Sequence, residues 1–213
     1  MNFLVWHERD REYADVEPET AHAALSRAGL LGRPAGGLGA ALGGGAAAAG
    51  LASAIGATGS GHDRAVFRFA ITLEHLQVAF YTAALKSGNL TGEVRQFAEV
   101  VAGEERKHLT YLSRAAGGPI AVAPAFTFSA ALRDQKSFVA AAVSIEENGL
   151  AAYNGQAGNL SPDALARVGR VISVEARHAA WARALAGMQP APVAVDVPIS
   201  AAAAQRAIKP YLA

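Results

Sequence analysis

Two copies of the short motif Glu-x-x-His constrain the fold of this chain more than any other feature. One copy contains Glu105 and His108, the other contains Glu175 and His178, and the copies lie 70 residues apart. Each falls in a long run of helix-forming residues. Three residues turn an α-helix through about 300°, so the glutamate and the histidine of one motif project from one face. Each pair of side chains can therefore reach the same metal ion.

Two further glutamates, Glu74 and Glu146, lie in apolar segments of two other helix-forming runs. Each is followed seven residues later by a tyrosine, Tyr81 or Tyr153. Seven residues make nearly two full helical turns, so each tyrosine shares the helix face of its glutamate. Glu74 and Glu146 are 72 residues apart, close to the separation of the two motifs. The chain therefore contains a two-fold internal repeat of a helix pair.

Charge balance explains why such a set points to metal ions. Four carboxylates in a helical core repel one another and cannot all stay ionised in a low dielectric without compensation. Two divalent cations supply the opposite charge, and two neutral imidazoles add nitrogen donors. Oxygen-rich ligation with some nitrogen suits iron or manganese better than zinc or copper. The pattern indicates a site for two divalent ions, Fe or Mn.

Composition and turn signals predict an all-α fold. Alanine supplies 51 of the 213 residues and aromatic residues only 7%, which favours close-packed helices. Four long helices are predicted over residues 65–86, 92–116, 135–156 and 162–186, and a short C-terminal helix between Ser200 and Pro210. Thr91, Asp134 and Ser161 are the expected N-caps. The segment after the second helix is long enough to cross the bundle, so we expect a four-helix bundle with a long crossover between helices two and three.

Several classes of site and partner are excluded by composition. The chain has no cysteine, so it contains no disulfide, zinc knuckle or cysteine nucleophile. Its net charge is +1, and its 19 lysines and arginines are spread along the chain. That distribution argues against a nucleic-acid partner, because nucleic acid requires a concentrated basic surface.

The N-terminal region has a different composition from the rest. Twelve of the 22 glycines lie in residues 29–61, and residues 34–61 carry no charged side chain. Three interpretations compete: a flexible linker, membrane association through 34–61, and an export signal. Arg27 precedes this run within a segment that resembles a twin-arginine signal lacking one arginine, and residues 52–54 form a small-x-small cleavage pattern. An export signal therefore fits best.

These observations predict three regions. Residues 1–61 form an atypical leader, either a signal peptide or a membrane-tethering segment. Residues 62–190 form the four-helix bundle, and residues 191–213 form a tail with the short helix. The expected location is exported, in the periplasm or cell envelope, with a cytoplasmic location as the alternative if the leader is not functional.

The helical segments resemble a known family. Residues 73–85, 103–108, 145–155 and 174–180 resemble the ferritin-like superfamily, and more narrowly its exported, desiccation-related branch. The resemblance covers about residues 65–187 and implies a ferritin-like bundle with two metal ions. The implied metal ligands are Glu74, Glu105, His108, Glu146, Glu175 and His178. The resemblance places Glu146 rather than Glu147 inside the bundle, and the spacing of Tyr153 argues the same way.

Three other side chains are candidates for contact with the ligands: Gln77, Tyr81 and Tyr153. Gln77 holds, relative to Glu74, the place that histidine holds in the two motifs, and plain packing is the alternative role. The tyrosines are either core aromatics with a satisfied hydroxyl or redox participants. His62 and His75 are not expected to be ligands.

Three functions are compatible with such a site. The first is a dimetal oxidoreductase that acts on oxygen, peroxide or ferrous iron in stress protection. The second is metal binding or storage without turnover, and the third is a structural, desiccation-related envelope protein. The expected partners are metal ions or a small-molecule oxidant, and a second copy of the chain in a homo-oligomer.

Overall fold

The computed structural model describes residues 45–118 and 122–213, with side chains from residue 61 onward. Within these residues the chain is helical, and its one β-bridge is isolated. The helices are α1 (Gly45–Ser87), α2 (Gly92–Ala115), α3 (Gln135–Ala157), α4 (Pro162–Leu185) and α5 (Ala201–Ile208), followed by a 3-10 turn at Lys209–Tyr211. The predicted all-α fold is confirmed.

The first helix is longer than the sequence analysis predicts. The predicted start at residue 65 is wrong, because α1 begins at Gly45 and has 43 residues. Alanine, the strongest helix former, supplies seven of residues 45–60 and offsets the four glycines among them.

The predicted leader falls mostly on residues 1–44, which lie outside the described residues. Among the described residues, no helix combines the length and the apolar character needed to cross a membrane. The boundary between leader and bundle stays a prediction.

All three predicted N-cap residues lie at the N-cap positions of their helices, and two of them make a side-chain capping bond. Asp134 accepts a hydrogen bond from the backbone N–H of Ser137 at 2.7 Å, and Ser161 caps α4 in the same way. Thr91 is the N-cap residue of α2 as predicted, but its side chain makes no capping bond. Its backbone N–H and its hydroxyl instead donate to Gln135 Oε1, at 2.8 and 3.2 Å. Thr91 thus joins the start of α2 to the start of α3.

The four long helices pack as two hairpins. Helix α1 packs mainly against α2, and α3 against α4. Additional contacts between α2 and α4, and between α1 and α3, close the bundle. Residues 116–134 connect the hairpins, as the predicted crossover requires. Helix α5 lies against α3, and the C-terminal segment pairs with the crossover through the Phe126–Leu212 bridge.

The bundle core has two apolar layers. One contains Phe67 and Leu112, and the other contains Phe80, Phe97 and Phe138. Along each long helix the predicted ligands lie between residues of the two layers. The polar side chains are therefore enclosed on both sides by close-packed hydrocarbon.

Gly155 gives a test of how the tail is held. Ile199 donates its backbone N–H to the Ala151 carbonyl at 3.0 Å, and a Cβ at position 155 would overlap the Ile199 carbonyl oxygen. We expect Gly155→Ala to destabilise the bundle by about 1–3 kcal/mol, measured as a lower midpoint of thermal unfolding. Gly169→Ala is the control, because no atom lies within 4 Å of its new Cβ and alanine favours the helix. Equal midpoints for the Gly155 variant and the wild type would contradict this packing.

Candidate metal centre

The six predicted ligands meet between the two apolar layers, and each long helix supplies one or two of them. Helices α1 and α3 each supply one glutamate, and α2 and α4 each supply a Glu-x-x-His pair. The four glutamates are 0% exposed, His178 is 3% exposed and His108 is 8% exposed. Six ionisable side chains at this depth require mutual compensation.

The six residues form two overlapping groups of four. The first group is Glu74, Glu105, His108 and Glu175, and the second is Glu105, Glu146, Glu175 and His178. Within each group, one donor atom from every residue lies within 4.8 Å of the others. We name the groups the His108 position and the His178 position. Glu105 and Glu175 belong to both, so they can bridge two ions.

Both histidines direct Nδ1 toward the carboxylates. His108 Nδ1 lies 2.9 Å from Glu175 Oε1, 3.1 Å from Glu105 Oε2 and 3.7 Å from Glu74 Oε2. The two imidazole rings are 5.7 Å apart, measured between centroids. The His108 position therefore draws on both hairpins, because Glu175 comes from α4.

The His178 position has matching distances. His178 Nδ1 lies 2.9 Å from Glu105 Oε1, 3.8 Å from Glu146 Oε2 and 3.9 Å from Glu175 Oε1. Glu105 thus presents one oxygen to each histidine. This arrangement is suited to a carboxylate that bridges two ions.

Unpaired buried atoms test whether these residues fit metal ions. Four of the ligand atoms are buried without a hydrogen-bond partner: Glu74 Oε2, Glu105 Oε1, Glu175 Oε1 and His178 Nδ1. Such atoms are rare in folded proteins. Glu105 Oε1 is close to His178 Nδ1, and Glu175 Oε1 is close to His108 Nδ1, but neither pair is aligned for a hydrogen bond. Coordinated cations would satisfy all four atoms, and the oxygen-rich donor set suits iron or manganese. The residues present fit a metal centre.

The two tyrosines connect the repeats crosswise. Tyr81 on α1 donates its hydroxyl to Glu146 Oε1 on α3, and Tyr153 on α3 donates to Glu74 Oε1 on α1. Each tyrosine therefore contacts the glutamate of the other repeat rather than its own. Because each hydroxyl engages Oε1, the Oε2 atom of each glutamate is the one close to a histidine.

Gln77 contacts two ligands, as one of its predicted roles requires. Its Nε2 donates to Glu175 Oε2 at 3.0 Å and to Glu146 Oε2 at 3.2 Å. Gly149 holds the equivalent place in α3, three residues after Glu146. A Cβ there would lie 3.6 Å from Gln77 Nε2. That is an ordinary van der Waals distance, so the glutamine amide packs beside Gly149.

Glu104 is a contact that sequence reasoning missed. Its Oε2 lies 2.6 Å from His178 Nε2, the nitrogen that faces away from the other ligands. The signal available in sequence was its place beside Glu105, but its partner lies on another helix.

Glu147 lies outside the centre and pairs with Arg183, and His62 is exposed. His75 lines an outer groove of α1, away from the ligands.

Burial changes the acidity of the glutamates in opposite directions. Burial raises the pKa of Glu74 and of Glu146 well above the usual value, and the charges of Glu105 and Glu175 raise it further. Burial also acts to raise the pKa of Glu105. The histidines outweigh that effect, and the pKa of Glu105 falls to about 2. Glu105 is thus the ligand that stays ionised across the ordinary pH range.

The histidines become more basic. Burial acts to lower the pKa of His108, but Glu105 and Glu175 raise it to about 9. Burial opposes the charge of His178 as well, but Glu104 and Glu105 raise its pKa to about 11. At neutral pH without metal ions, the protonated imidazoles therefore offset part of the carboxylate charge.

The comparison with known families agrees with this geometry. A family model described as a ferritin-like domain matches residues 62–188, which include all six predicted ligands. The match covers more than half of the chain. No curated protein sequence matches the chain.

Metal uptake should release protons and strengthen as pH rises. Below their raised pKa values the histidines carry protons on the atoms that would bind a metal, so an ion must displace them. We expect about one proton released per ion at pH 7, because each position has one protonated histidine, and the apparent affinity should rise about tenfold for each unit of rising pH. A pH-stat during anaerobic loading, with titrations at pH 6, 7 and 8, measures both. Uptake without proton release and with equal affinity over that range would contradict the assignment.

Proposed function

The chain belongs to the ferritin-like domain family, and we propose that its buried glutamates and histidines bind two iron or manganese ions that react with oxygen or peroxide. The observation that carries the proposal is the pair of overlapping four-donor groups sharing Glu105 and Glu175. Four carboxylates match the charge of two divalent ions. The buried donor atoms without hydrogen-bond partners support the same conclusion.

The surrounding residues keep the donors in place. Tyr81 and Tyr153 each hold one oxygen of a terminal glutamate, and Gln77 holds two carboxylates with one amide. Such contacts orient ligands and are as much a part of a metal site as the ligands themselves. Phe67 and Phe80, one from each apolar layer, belong to the packing that excludes bulk water from both ends of the centre.

The donor set suits redox chemistry more than permanent structural binding. When bound, iron or manganese ions supply the electrons that reduce oxygen or peroxide. Glu105 and Glu175 contribute both carboxylate oxygens to contacts in the centre. Carboxylates of this kind can adjust their coordination as charge changes.

The biological role we propose is protection against oxidants under stress. Its support is the resemblance of the helical segments to desiccation-related ferritin-like proteins. An exported location is part of the same proposal, and it rests on the composition of residues 1–61. The alternatives are metal storage without turnover and a purely structural role.

Metal content tests the site. Full-length protein loaded anaerobically with Fe²⁺ or Mn²⁺ should contain about two ions per chain by elemental analysis. Glu105→Ala should lose both, because Glu105 belongs to both positions. Glu99→Ala is the matched control on the same helix, since Glu99 is half-exposed and pairs only with Arg95 among the described residues. Wild-type content below about 0.2 ion per chain with both metals would overturn the site.

Turnover tests the reaction separately. Manganese-loaded protein should remove many molecules of hydrogen peroxide per chain, or ferrous-loaded protein should consume oxygen, at rates above those of the same ions free in buffer. Glu105→Ala should not exceed the free ions. An oxygen electrode measures both reactions. A wild-type protein that holds two ions but reacts no faster than free metal would leave binding intact and favour storage or a structural role.

A further inference from the structure

The two metal positions are related by the internal repeat but are not equivalent. The repeat pairs Glu74 with Glu146, and it pairs each Glu-x-x-His motif with the other. Two places depart from it. Glu104 precedes the motif of α2, whereas Val174 precedes the motif of α4, and Gln77 in α1 corresponds to Gly149 in α3. Glu104 and Gln77, the polar residues of these two unequal pairs, both contact ligands of the His178 position.

Glu104 fixes the His178 imidazole. The contact of 2.6 Å engages Nε2, and a carboxylate there keeps a proton on Nε2, so that Nδ1 is the nitrogen that gives up its proton to a metal ion. The side chain of Glu104 is 39% exposed, so this carboxylate also joins the centre to the surface. Val174, in the corresponding place, has no group that can accept a hydrogen bond from His108.

Gln77 fixes two carboxylates of the same position. Glu146 has both oxygens engaged, Oε1 by Tyr81 and Oε2 by Gln77. Glu74, its equivalent at the His108 position, has only Oε1 in a hydrogen bond, and its Oε2 has no hydrogen-bond partner. Glu146 of the His178 position is therefore held more firmly than Glu74 of the His108 position before an ion arrives. Binding of an ion at this position therefore requires less ordering of its ligand side chains.

We propose that Glu104 and Gln77 set the order of filling, so that the His178 position takes the first ion and the His108 position takes the second with lower affinity. The inference rests on the proposed function, which supplies the metal ions. Repulsion between two ions would weaken the second step whichever position filled first. The contacts of Glu104 and Gln77 are what distinguish the two positions.

Stepwise titration with Mn²⁺ tests this order. Free Mn²⁺ is followed by electron paramagnetic resonance during anaerobic addition to the full-length protein, and the wild type should show a tight and a weaker step. His108→Ala should retain the tight step, because its missing ligand belongs to the other position. His178→Ala should lose the tight step. Loss of the same step in both variants would overturn the order.

Variants of Glu104 test the cause. Glu104→Ala should weaken the first step by about 10- to 100-fold and leave the second nearly unchanged. Glu104→Gln keeps an oxygen that can accept from His178 Nε2, so it should lose less. Gln77→Ala should also weaken the first step. Glu99→Ala, the half-exposed control on α2, should change neither step.

The outcomes separate this inference from the proposed function. Equal weakening of both steps by Glu104→Ala would indicate a general structural effect and would overturn the inference alone. Unfolding midpoints of each variant, measured without metal, identify such an effect directly. A wild-type protein that binds no Mn²⁺ would overturn the proposed function, and the order of filling with it.

Discussion

The structure depends on one electrostatic constraint, which is that four carboxylates lie in a dry helical core. Glu74, Glu105, Glu146 and Glu175 are all fully buried. Uncompensated, that charge would prevent the helices from packing. Two histidines, two tyrosines and one glutamine surround the carboxylates, and protons or divalent ions complete the balance. The apolar layers on either side exclude bulk water from the carboxylates. Coordination of metal ions by the buried carboxylates is stronger for that reason.

Neither hairpin satisfies the constraint alone. The His108 position needs Glu175 from the second hairpin, and the His178 position needs Glu105 from the first. The crossed bonds of Tyr81 and Tyr153 join the hairpins at the same level. Metal binding and docking of the hairpins are therefore coupled, since ions that bind only the assembled centre stabilise the assembled bundle.

Helical periodicity explains how much the sequence could predict. Spacings of three and seven residues identify a shared helix face, and so all six predicted ligands and Tyr81, Tyr153 and Gln77 do meet at the centre. Helical periodicity does not indicate which side chains meet between different helices. The Thr91 hydroxyl donates to Gln135 on α3 instead of making a capping bond, and Glu104 meets a histidine on α4. The start of α1 was missed because an alanine-rich run carries no amphipathic pattern, although it forms helix readily.

The inequality of the two positions has a consequence for redox chemistry. A centre that changes charge needs ligands that can move, and Glu146, with both oxygens engaged by hydrogen bonds, has little freedom. Glu74 has one oxygen free of such bonds, and His108 is the most exposed of the six ligands. Of the two glutamates that belong to a single position, Glu74 thus has more freedom to change coordination than Glu146. With ions bound, the repeat would in this way provide one position that retains its ion and one that can adjust during reaction.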